Sequence, residues 1–280
     1  MQKVTLLGAG GKMGLRAVDR LKGSEFYETK YVEISPGGVK ELENRGIIVT
    51  PGDEAVRDAD IVIAAVPDIL IEKVLTQYVA LLKPGALVIT LDPAAARAGV
   101  FPVREDISYF VTHPCHPSIF SKEPDLEARL DYFGAVKAKQ SIVCALVQGT
   151  EDDYSKGEAL SKILYSPIIN SYRMTVEQMT LLEPALTETL GGTCATIIKE
   201  GLDHIIGLGV PEDAARDFLM GHLNTAFAIT FGELDTQFSD GCLKAIERAR
   251  KHIIRQDWKM IFDDAEVMKE VNFIAKGTEQ

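Results

Sequence analysis

The chain has 280 residues, enough for about two domains, and its 46% hydrophobic and 25% charged content is that of an ordinary globule. A net charge of −11 without a basic stripe argues against non-specific nucleic-acid binding, and no run of 18 apolar residues offers a membrane span. Four widely spaced cysteines with no C-x-x-C pair, behind an apolar start too short for a secretory leader, point to a reduced, cytoplasmic setting.

The first element is MQKVTLLGAGGKMG, in which the apolar run Val4, Leu6, Leu7 predicts a buried parallel strand. Gly8, Gly10, Gly11 and Gly14 follow, then a helix over 15–21. Glycines between a strand and a helix let a diphosphate approach the helix amides closely, with Lys12 and Met13 inside the turn. The spacing reads as G-x-x-G-x-x-G through Gly8, Gly11 and Gly14, or as G-x-G-x-x-x-G through Gly8, Gly10 and Gly14. Lys12 does not make a P-loop, because Leu6 and Met13 stand where that motif needs Gly and Ser or Thr.

A second strand over 31–34 places Glu33 near its end, 25 positions beyond Gly8. A carboxylate there accepts hydrogen bonds from an adenosine ribose and repels a 2′-phosphate, which favours NAD over NADP. A turn at 35–38, a helix over 39–45, a third strand over 47–50 and a short helix over 53–58 come next. Strands are expected at 61–66, 86–91, 107–112 and 141–147, the last closing the sheet, with a helix over 69–82 and a turn at LDPAAARAG. Asp152 or Asp153 is expected to cap the helix that follows. The alternation predicts a doubly wound parallel α/β sheet of the Rossmann type over 1–150. From 151 to 280 helical periods dominate: a tract over 174–207 broken by Pro184 and Gly191-Gly192, a helix over 211–231 and another over 239–254. This predicts an all-helical second domain whose apolar surface suits a homodimer.

The strand over 107–112 delivers HPCHP (113–117) to the carboxyl edge of the sheet, where ligands of such sheets bind. Prolines 114 and 117 are expected to hold His113 and His116 on a stiff loop, where imidazole can move a proton or bind a metal, or simply pack as a hydrogen-bonded pair. Glu183 precedes Pro184 in the helical tract; a kink would turn its carboxylate inward, while an unkinked helix leaves it solvated. Lys199, after the glycine pair, can hold a substrate carboxylate, shuttle a proton or snorkel to solvent.

GAGGKMG, Glu33, AAVPD, LDPAAA, THPCHP and LLEPALTE together resemble the D-apionate oxidoisomerases, relatives of the phosphogluconate and 3-hydroxyacid dehydrogenases. The resemblance implies oxidation of the 2-hydroxyl of a branched sugar acid with hydride transfer to NAD, then a metal-assisted acyloin-type migration to 3-oxo-isoapionate. It implies that Lys12, Met13, Gly14 and Glu33 hold NAD and that His113 and Glu183 ligate a divalent metal. One imidazole beside a carboxylate suits zinc better than magnesium. His116 would complete that site or act as a base. The alternatives are a metal-free 2- or 3-hydroxyacid dehydrogenase and a non-catalytic NAD-sensing regulator.

Overall fold

The computed structural model describes residues 1–278. It divides into two compact units, Met1–Glu183 with the segment from Met268 onward, and Pro184–Val267.

The first unit is built on a seven-stranded sheet: β1 (Gln2–Leu7), β2 (Tyr27–Val32), β3 (Ile61–Ala64), β4 (Leu87–Thr90), β5 (Ser108–Pro114), β6 (Gln140–Gln148) and β7 (Ile168–Arg173). Their order is β2-β1-β3-β4-β5-β6-β7. The first five are parallel, β6 is antiparallel to β5, and β7 is parallel to β6. The chain reverses direction across the sheet between β1 and β3, the crevice where such sheets take ligands.

The central strands are apolar on both faces because both faces are covered. Leu6, Ile63, Ile89 and Phe110 join one cluster, with Val18 and Leu21 of the helix Lys12–Leu21 and Leu160 of the helix Glu151–Leu164. Their neighbours Leu7, Val62, Val88 and Tyr109 join the other, with Ile71 and Leu75 of the helix Asp68–Tyr78. This is the period-two alternation of a strand applied to a sheet with no solvent face. Ile63 is fully buried, so Ile63→Ala would cost about 2–5 kcal/mol in transfer and cavity terms.

The second unit is helical: Thr193–Gly207, Glu212–Thr230 and Asp240–Ile253. The first buries only Leu202 and the second only Ala215, so most of their apolar side chains are open. Among the described residues no helix is long and apolar enough to cross a membrane.

Several expectations change. Residues 47–50 form no strand; Val49 makes a single bridge to Tyr31, since a four-residue run without a second neighbour gains too little from pairing. β6 does not close the sheet. β7 lies outside it, half exposed along an edge, so its sequence IINSYR lacks the apolar run of a central strand. The first unit thus runs past the expected boundary at 150 to Glu183. Thr150, not Asp152 or Asp153, caps the helix Glu151–Leu164, with Asp153 answering at the third position of a capping box. Residues 181–192 form a π-helix around Pro184 where a kinked α-helix was expected; wide turns accommodate a residue that lacks an N–H.

Candidate active site

The glycine turn is decided by contact. Gly8 has φ +76°, and a Cβ on it would lie 2.5 Å from the Ala65 carbonyl oxygen. A Cβ on Gly10 would strike the Gly38 backbone and lie 2.8 Å from Glu33 Oε2, and one on Gly14 would strike the Gly8 carbonyl. Gly11 would meet only ordinary contacts, so the reading G-x-G-x-x-x-G is the sterically required one.

Glu33 follows directly on β2. Its Oε2 accepts the Gly10 amide at 2.8 Å, and its Oε1 accepts the Ile34 and Ser35 amides at 2.9 and 2.8 Å. Burial opposes ionisation, but these amides outweigh it and hold the carboxyl below the usual glutamate range. An ionised Glu33 therefore stands at the mouth of the glycine turn.

His113 sits inside β5, not on the loop expected from its flanking prolines. β5 outruns β4: Thr90, the last residue of β4, pairs with Val111, leaving Thr112–Pro114 to pair only with β6. On that open side Pro114 has no partner strand to deny an N–H, so proline is tolerated. Asp92 lies two residues beyond β4, level with this overhang, and its Oδ1 accepts the Ala94 amide at 2.7 Å.

Glu183 arrives from the other direction. Met179 of the helix Val176–Thr180 packs on Val111, Val143 and Ala145, which seats the following turn over the ends of β5 and β6. The result is His113 Nε2 at 2.7 Å from Glu183 Oε1, both side chains mostly buried. Asp92 joins them: one ligand atom from each of the three lies within 4.8 Å of the others. Burial, and then the Glu183 carboxyl beside it, push Asp92 up to about 8. Asp68, at the start of its helix, is pushed up to about 7 by burial and then by Asp92.

Asp68, Asp92 and His113 line one cleft of about 430 Å³ with Lys12, Met13 and His116, all within the first unit. His116 has φ +58°, a left-handed conformation uncommon outside glycine. Its Nδ1 lies 2.9 Å from the Phe133 carbonyl oxygen, which can only accept, so Nδ1 carries the proton and Nε2 is left as the acceptor. Burial lowers its pKa and keeps the ring neutral. Phe133 is held by the Arg16 guanidinium 4.3 Å over its ring, and Arg20 binds the Ala135 carbonyl at 2.9 Å, strapping this loop to the first helix.

Lys199 lies in the second unit, exposed, with Nζ 2.6 Å from Asp203 one turn on. Asp68 and Asp92 lie in the motifs AAVPD and LDPAAA, but the sequence assigned neither a role, and it gave no sign of Arg16 or Phe133. Asp92 and Asp68 carried a signal: each follows an apolar strand at its carboxyl end, where this fold places ligands.

Known proteins resemble this chain over nearly its whole length. Residues 121–275 match the family model for the phosphogluconate dehydrogenase (decarboxylating) C-terminal domain. A protein named D-apionate oxidoisomerase from Rhizobium rhizogenes is 46% identical over 275 residues, which cover 98% of this chain and 100% of that one. Another of that name from Cupriavidus necator is 47% identical over 98% of this chain and 99% of its own. The crystal structure of a semialdehyde dehydrogenase NAD-binding protein from Cupriavidus necator, in complex with calcium and NAD, superposes with a TM-score of 0.95. It is 46% identical, covering 98% of this chain and 99% of that one.

Proposed function

The chain belongs to the D-apionate oxidoisomerase family and is an NAD-dependent oxidoreductase; on that premise we propose that it oxidises the 2-hydroxyl of D-apionate and isomerises the resulting 2-oxo acid to 3-oxo-isoapionate, with a divalent cation, zinc first among the candidates, held by His113 and Glu183. The observation that carries this reading is the 2.7 Å approach of the His113 and Glu183 side chains at the carboxyl edge of the sheet, His113 lining the cleft that the glycine turn also lines. An imidazole nitrogen beside a carboxylate in a shielded pocket is a donor set that fits a borderline divalent ion.

The chain's own residues divide the work. The turn of Gly8, Gly10 and Gly14 leads into the helix whose first residues, Lys12 and Met13, present amides to a diphosphate. Glu33 faces the adenosine ribose and disfavours a 2′-phosphate by charge. His116 Nε2 takes the proton of the substrate hydroxyl while the hydrogen on that carbon leaves as hydride to the nicotinamide. A bound cation supplies Lewis acidity to the substrate oxygens in both steps. The exposed pair of Lys199 with Asp203 is worth little, so an anionic group can displace it. A cytoplasmic setting and a homodimer complete the proposal.

The test is elemental analysis of the purified protein together with NADH formation from D-apionate before and after chelation. One metal per chain, with turnover lost on chelation and restored by zinc, is the expected result. Chelator-resistant oxidation that yields the unrearranged 2-oxo acid would instead make it a plain hydroxyacid dehydrogenase.

A further inference from the structure

We propose that Asp92 is a third protein ligand of the divalent cation, completing a set of one imidazole nitrogen and two carboxylate oxygens with His113 and Glu183. This rests on the cation site proposed above and deepens it.

Three independent elements converge here: the loop after β4, the overhanging end of β5 and the π-helix that begins at Leu181. Their ligand atoms lie within 4.8 Å of one another, close to the span of one cation with ligand distances of about 2.0–2.2 Å. Asp92 is oriented before any ligand arrives. Its Oδ1 is tied to the Ala94 amide at 2.7 Å, and Thr90 Oγ1 donates to its main-chain oxygen at 3.3 Å. Such backbone ties aim a ligating carboxylate.

His116, the other candidate for completing the site, falls outside the group whose donor atoms converge, and its ring centroid lies 6.0 Å from that of His113. Asp68 lines the same cleft but falls outside the group whose donor atoms converge. A set with two carboxylates is harder than His113 and Glu183 alone, which admits manganese and calcium beside zinc.

The experiment titrates chelator-stripped full-length protein with Zn²⁺ and Mn²⁺ by calorimetry. It compares wild type with Asp92→Asn, Asp92→Ala, His113→Ala and Glu183→Gln. Asp92→Asn retains an oxygen for the Ala94 amide, so the turn survives; NAD binding and thermal unfolding of each stripped variant report the fold. The expected result is one cation per chain in wild type and affinity at least tenfold weaker in both Asp92 variants, with NAD affinity unchanged. Wild-type affinity in the Asp92 variants, with loss in His113→Ala, would overturn the role of Asp92 and leave the cation site standing. No cation bound by wild type would overturn both.

Discussion

The Glu33 carboxylate accepts the amide of Gly10 at 2.8 Å, so the residue expected at the ribose also braces the turn expected at the diphosphate. Selectivity and turn geometry are therefore coupled through one side chain. Glu33→Ala is expected to bring the affinities for NAD and NADP closer together while weakening both. It should also lower stability by about 1–2 kcal/mol, since hydrogen bonds to a charged group are worth roughly 1.5–3 kcal/mol when shielded and this one is only partly so. Titration of both nucleotides by fluorescence checks this. An unchanged preference would take Glu33 away from the ribose.

His116 is held in one tautomer by Phe133, with Nε2 as acceptor. His116→Asn retains a donor for that carbonyl and removes the base, so kcat for sugar-acid oxidation should fall by about 100-fold or more. Cation content and NAD affinity should stay as in wild type. A variant with wild-type kcat would leave His116 a purely structural residue.

Asp153 is the clearest source of acid sensitivity away from the site. Burial works against its charge, but the Thr150 hydroxyl and amide, the Ser108 hydroxyl and Lys156 outweigh it and bring the carboxyl down from 3.8 to about 2. Because its folded pKa is depressed, its stabilisation is fully present above about pH 4 and is lost as pH falls through 2. Denaturant unfolding at stepped pH should show Asp153→Asn less stable than wild type near neutrality, with the two converging in that acid window. Thr150→Ala should cost about 1 kcal/mol through the lost cap. Parallel acid profiles for wild type and Asp153→Asn would show that the capping box does not govern this limb.

The second unit leaves Leu208, Phe218 and Phe231 more than two-thirds exposed, beyond what isolated surface apolar residues require. If a second copy covers them, light scattering should give twice the chain mass. Phe231→Lys should then shift the population toward monomer at micromolar concentration. A wild-type monomer at all concentrations would end the dimer proposal.

Short-range pattern was enough for much of this protein. The apolar runs of β1, β3 and β4 declare strands buried on both faces, and the glycines after Leu7 declare a nucleotide turn, because each is a local demand of backbone and solvent. Glu33, His113 and Glu183 were legible as candidates from their positions at strand ends and beside a proline. Tertiary structure decided what these residues do to one another. Which glycines are required depends on Ala65 and Gly38, contributed by other parts of the chain. β7 escaped notice because an edge strand with one neighbour needs no apolar run. Asp92 escaped because its meaning comes from register: only when β5 outruns β4 does a residue past Thr90 come level with His113. Only when Met179 packs on Val111 is Glu183 carried to the same point. Sequence periodicity reports which side of an element faces inward; it carries no measure of where that element stops against its neighbour, and the site is made at that stop.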